Sequence, residues 1–494
     1  MAAKRASATT KKGVSASAQT VACWEDDPGD RNLQPPLTPI TVPAPKPATQ
    51  PLAFKITGST PAPKVYQPGT ANFRYYAAAA ALRRTADFWG SIVPGGTKWQ
   101  VGSVLPVRLD DGVDLNAFYT RGDFQDPPGL HFFHATVEGR TFFSGESPDV
   151  CCHEMGHAVL DALRPQLFDA QTIEAAAFHE SFGDMSAILS GLQVASLRQA
   201  VLQETGGTLN RTSRLSRLAE QLGSAIRAQH PDAVDPDCLR NAVNSFFYRD
   251  PQTLPPSAPA SALCSEPHSF SRVFTAAFLD SLAGVFKLQS GSGTNDLQKA
   301  SQDIAKILVG SVLSAPVTPD YYSQVAAHMI AFGEAAPFNG KYRDVLKSAF
   351  VRRGILSLQA AVTVTGATAA SPRAALIGPP AGVGSSAELP RASIFAVAYG
   401  LKRPSLVVHT AVQPKRFAVT SSSLLLGAVE PRSAQNAAES YTEDLFQRGR
   451  VDVGQHADER SGLLHPHGFH THIVVEEKGE LVLRRNTFDC GFDR

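Results

Sequence analysis

Residues 151–163 read CCHEMGHAVLDAL, bracketed by a Ser147-Pro148 start and by Pro165. A serine N-cap, a proline in the first turn and Asp149 near the positive end of the dipole all favour a helix beginning here, and Pro165 stops it. The stretch is small and apolar apart from His153, Glu154 and His157, so its natural place is the core. Buried polar groups cost free energy unless something satisfies them. His153 and His157 stand one helical turn apart and share a face, a spacing that lets two imidazoles bind one metal ion while Glu154 stands beside it as a general base. A pair of ordinary core histidines is the competing reading.

A catalytic metal needs a third protein ligand. The segment TIEAAAFHESFGDMSAIL (172–189) is again helical, with Glu180 and Asp184 one turn apart. Glu180 follows His157 far enough on for a turn and a returning antiparallel helix, with the Ala175–Ala177 run favouring close approach. Its carboxylate would complete a His2Glu set with water in the fourth position. Asp184 would then accept a hydrogen bond from a ligand histidine and fix its tautomer. Glu174 is the alternative ligand, but no acid follows it at the same spacing.

The remainder of the chain sets the frame. Lys and Arg total 46 against 45 for Asp and Glu, so no global field favours nucleic acid or an anionic membrane. No apolar run reaches the length of a membrane span. The N-terminus lacks the apolar core of a secretory signal, and six scattered cysteines do not make a disulfide framework. A cytoplasmic location is therefore expected. Residues 1–70, rich in Pro, Ala, Ser and Thr, read as a disordered arm. A mixed α/β lobe follows over 71–146, with a helix at 72–92 and strand-like segments at 98–111 and 129–143. Residues 147–358 read as a helical lobe and 359–494 as a β-rich extension. HPHGFHTH (465–472) is read as a solvated strand and turn rather than a second metal site.

The order of these motifs resembles the thermolysin-like zinc metallopeptidases, the gluzincins, with HExxH followed by a glutamate ligand and an aspartate four residues later. NAFY (116–119) is similar to the family's edge-strand segment, which implies that the Asn116 side chain and the Ala117 carbonyl bind the substrate backbone. EPHSFSRVFTAAFL (266–279) resembles the segment bearing the histidine that stabilises the oxyanion, which points to His268. The segment 318–356 looks like the family's final helices, so the likeness spans about 72–358. The resemblance also implies an arginine that grips the substrate carbonyl, for which Arg240 and Arg249 are the candidates; Arg240 follows leucine as in the family, and either could instead be an ordinary surface charge.

The resemblance implies an α+β fold with a mainly helical C-terminal lobe, one catalytic Zn2+ held by His153, His157 and Glu180, and hydrolysis of peptide bonds by metal-activated water with Glu154 as base. A peptide or protein substrate is expected, with no nucleic acid or membrane partner. The departures are specific. No aspartate shortly precedes His268, where Glu266 is the only acid, and Tyr248 is the next candidate should His268 not serve. A family tyrosine is replaced near Phe168. Asp149 matches one calcium position while the acidic cluster after the glutamate helix is missing, so a double calcium site is not expected and calcium itself stays open. From a different class comes the alternative of a zinc-stabilised scaffold that binds protein partners through the C-terminal extension.

Overall fold

The computed structural model describes residues 19–29, 37–357, 388–413, 432–458 and 469–491. In chain order it begins with strands β1 (Thr20–Cys23), β2 (Ile40–Pro43) and β3 (Phe54–Ile56), then helix α1 (Ala71–Gly90). Strands β4 (Leu105–Arg108), β5 (Ala117–Thr120), β6 (Gly129–Phe132), β7 (His134–Val137) and β8 (Arg140–Phe143) follow. Next come α2 (Pro148–Leu163), α3 (Gln166–Asp169), α4 (Ile173–Gly191), α5 (Ala195–Thr205), β9 (Arg217–Leu218), α6 (Glu220–Gln229) and β10 (Arg240–Asn241). Helices α7 (Pro267–Lys287), α8 (Thr294–Ser314), α9 (Tyr321–Glu334) and α10 (Arg343–Arg352) complete the helical part. The C-terminal part holds β11 (Arg391–Phe395), β12 (Ser405–His409), α11 (Ala434–Gln447), β13 (Val451–Asp452), β14 (His472–Glu477), β15 (Glu480–Arg485) and β16 (Thr487–Asp489). The protein is thus α+β, and among the described residues no helix is long and apolar enough to cross a membrane.

Helix α2 starts where the sequence places it: Ser147 Oγ accepts from the Val150 amide at 3.3 Å and Pro148 occupies the first turn. Helix α4 starts on Thr172, whose side chain accepts from the Ala175 amide, and all its residues are buried. A helix buried on every face has no solvent side on which to place polar groups. Its contacts with α2 run in opposite directions along the two helices: the Ser186 hydroxyl donates to the Cys152 carbonyl, Asp184 meets His153 and Glu180 meets His157. The helices can come this close because glycines sit at the crossing. A Cβ on Gly156 would stand 2.7 Å from Ser186 Cβ, and one on Gly183 would stand 2.5 Å from the His153 ring.

Two expectations need correction. The Pro-rich arm is not disordered over 19–29 and 37–70. Val21 and Phe54 are fully buried, β1 pairs with β2, and β3 joins β4 in the sheet order β16-β5-β6-β4-β3. Its prolines leave carbonyls that no sheet uses, and Arg83 on α1 gathers those of Pro47, Thr49 and Pro51. Residues 1–18 and 30–36 of the arm lie outside the described residues. The extension, in turn, is not a separate appendage. Its own sheet has the order β11-β12-β15-β14-β13, but β16 leaves it and pairs antiparallel with β5 of the N-terminal sheet. The fold is therefore not complete by 358. His472, read as solvated, is fully buried on β14, while residues 465–468 of that histidine-rich run lie outside the description.

Trp89 ties α1 to α4. It is fully buried, donates from Nε1 to Ser186 Oγ at 3.0 Å and stacks on Phe182 at 5.0 Å between ring centroids. Trp89→Ala should lower unfolding stability by about 3–5 kcal/mol, read from the shift in denaturant midpoint.

Candidate metal centre

The α2–α4 crossing brings four ionisable side chains to one buried point. Nε2 of His153 lies 3.4 Å from one Glu180 oxygen, and Nε2 of His157 lies 3.7 Å from the other. An ion bound tetrahedrally by nitrogen and oxygen donors about 2.0–2.2 Å away would separate those donors by about 3.3–3.6 Å. Both Nε2 atoms, Glu180 Oε2 and both Glu154 oxygens are buried with no hydrogen-bond partner. Unpaired polar atoms at this density are rare in a folded interior. The buried His153–Glu154–His157 group could hold a metal ion, and Glu180 adds a carboxylate to it.

The surroundings fix these groups. Asp184 Oδ1 pairs with His153 Nδ1 at 3.1 Å, leaving Nε2 of that ring facing Glu180, and it also accepts from Arg240 Nη2 at 3.0 Å. Burial alone would raise the Asp184 carboxyl, but Arg240 and His153 hold it down at about 2. Burial pushes Glu154 up to about 8 despite the lowering effect of His153. Burial and the neighbouring His153 drive His157 well below the usual imidazole range, whereas the acidic groups around His153 raise it well above that range despite its burial.

His268, on the first turn of α7, reaches the same point, with Nε2 3.3 Å from Glu180 Oε2. Its Nδ1 pairs with Glu266 Oε1 at 2.6 Å. Glu266 is the N-cap of α7 and also accepts from the Ser269 amide, so one residue both starts the helix and orients the imidazole. Burial would lower His268, yet Glu180 and Glu266 raise it to about 9. The aspartate sought before His268 is therefore replaced in position by Glu266, two residues away, a pairing the sequence alone left unassigned.

The other candidates divide. Asn116 and Ala117 sit at the start of β5 and are buried, and Arg240 is buried on β10 against Asp184. Arg249 is exposed. Glu174 stands elsewhere, accepting from Tyr248 Oη at 2.7 Å and from the Tyr322 amide at 2.8 Å, with Arg432 beside it. That pairing commits Tyr248 too and removes it from the metal point. Phe168 stands at the rim of the site, edge-on to His179 and to Phe488. A cleft of about 680 Å³ opens beside the site, lined by Arg240, Glu266, His268, Arg450 and Cys490. Sequence reasoning missed Cys490 and Phe488 altogether, because no local motif surrounds them.

Asp149 gathers partners from the N-terminal segment and α6 rather than from the region after α4. Its Oδ2 accepts from the Ala219 amide at 3.0 Å, and the carboxylates of Asp26, Asp27 and Glu220 act on it. Burial raises all four, Asp26 to about 8 and Glu220 to about 7. The sequence matches no family model and no curated protein with which it was compared.

Two predictions follow from this geometry. Gly183→Ala should drive the His153 ring from its place, so that the folded variant dialysed against zinc retains less ion than the native chain in elemental analysis. The acidic cluster has folded pKa values above those of free carboxyls, so its stabilising protonation is present at low pH and lost as pH rises through about 7–8. Without added divalent cations the melting temperature should fall on the order of a few degrees between pH 6 and 8.5, and Asp26→Asn should flatten that fall.

Proposed function

We propose that the chain is a zinc-dependent endopeptidase of the thermolysin-like kind. One observation carries the reading: two imidazoles and the Glu180 carboxylate converge at ligand spacing while a buried, unpartnered Glu154 stands beside them. The donor set of two histidines and one carboxylate suits zinc and leaves a position for water. Bound there, zinc would supply Lewis acidity to the water and to the scissile carbonyl.

The chain's own groups do the rest. Glu154 takes a proton from water as the oxygen attacks the carbonyl, and delivers it to the amide nitrogen as the C–N bond breaks. His268 donates from Nε2 to the developing oxyanion, held by Glu266. Arg240, braced by Asp184, is placed to hold a substrate carbonyl, and Asn116 with the Ala117 carbonyl to hold the backbone. A second reading, a zinc-stabilised scaffold, is favoured by the pairing of β5 with β16, which covers the strand a substrate would use.

Metal analysis and cleavage of a casein-type substrate by purified variants test the assignment. Glu154→Gln should abolish hydrolysis and retain near-stoichiometric zinc, because the ligand set is untouched. Glu180→Gln should lose zinc, and stability with it. The opposite pattern would refute these roles, and zinc bound without hydrolysis, whether β16 is in place or released, would leave the scaffold.

A further inference from the structure

The last described residues lie in the cleft as a peptide substrate would. Strand β16 runs antiparallel to β5, with Thr487 opposite Thr120, Phe488 opposite Tyr119 and Asp489 opposite Phe118. Beyond it, the Cys490 amide donates to the Ala117 carbonyl at 2.8 Å. The Asn116 side chain packs on Gly491 so closely that a Cβ there would come within 2.8 Å of Nδ2. His268 Nε2 meets the Asp489 carbonyl oxygen at 2.5 Å. Each group assigned to the substrate backbone or to the oxyanion, Arg240 apart, is thus engaged by the chain itself. Phe488 anchors the segment, stacked on His179 at 4.0 Å and on His157 at 5.1 Å between ring centroids.

The side chain at the decisive position is a thiol. Cys490 is buried and lines the cleft with Arg240 and His268, and its side chain lies on the side of His153 and Glu154 without a hydrogen bond to either. Sulfur is a strong zinc ligand, and Cys with His and carboxylate is a familiar tetrahedral donor set. We propose that residues 487–491 are a built-in occupant of the substrate cleft and that the Cys490 sulfur is the fourth protein ligand of the metal. The inference rests on the zinc reading above. On coordination the S–H bond is replaced by a bond from sulfur to the metal, and the proton is released to solvent. The position needed by water is then filled. Catalysis requires that the strand leave β5 and that sulfur leave the metal.

Cobalt(II) substitution of the full chain reads the ligand directly, because thiolate on cobalt gives a near-ultraviolet charge-transfer band. The band should be present in the native chain and absent from Cys490→Ala, with the metal retained in both. The zinc form of Cys490→Ala should show kcat/KM for a short peptide raised about ten-fold or more, as expected when the competent state stops being a minor population. A metal-loaded native chain without the band overturns the assignment even if the variant does not fold, and so does a folded Cys490→Ala no faster than native. Intact mass showing cleavage between Asp489 and Gly491 would make the segment a substrate and also overturn it. A native chain that hydrolyses peptide but lacks the band leaves the zinc reading standing and removes only this one. A chain that binds no metal removes both.

Discussion

The contact on which the site depends is the approach of α2 to α4 at Gly156 and Gly183. It is the absence of two Cβ atoms that allows the His153 ring to lie against the backbone of the second helix. Once it does, Asp184 can hold Nδ1 and Glu180 can face Nε2. Helix α4 has no exposed face, so a polar residue on it can be satisfied only inside the protein. Ser181 and Ser186 find carbonyls, Asp184 finds His153 and Arg240, and Glu174 finds Tyr248. Glu180 faces three histidines, His153, His157 and His268, while His179 and Ser190 make no side-chain hydrogen bond.

The parts legible in the sequence are those governed by local periodicity. The 147–163 helix, its cap and the shared face of His153 and His157 follow from spacing within two turns. Glu180 and Asp184 follow from the same rule on the next long helix. The α+β class was readable for the same reason. His268 was reached by resemblance to a known motif order, since nothing local marks a histidine after proline as part of a metal centre. Glu266 was visible but ambiguous: an acid at a helix N-cap normally serves the backbone, and only the fold shows that it serves an imidazole as well.

What stayed hidden depends on contacts between distant residues. A proline-rich composition reads as disorder because prolines donate no hydrogen bonds, but it does not exclude docking when a neighbouring side chain collects the carbonyls, as Arg83 does. Likewise NTFDCG (486–491) shows no motif of its own. Its meaning comes from lying against β5, and no pattern within the segment specifies that partner. The arm and the C-terminal extension therefore each contribute a strand to the sheet of the 71–146 lobe.

The pairing of β16 with β5 also bears on how the molecule assembles. Thr120 bonds Asn486 across 366 positions, whereas Tyr119 on the same strand bonds Asp161 across 42. Loop-closure entropy grows only with the logarithm of length, so the longer closure costs about 2 kcal/mol more. That difference is felt in the rate, because distant pairings are slow to nucleate. The helical crossing, made from near neighbours, can form first and bring His153, His157 and Glu180 together. The strand that shuts the cleft then has to find an edge already in place, so its arrival is a docking event rather than part of the nucleus.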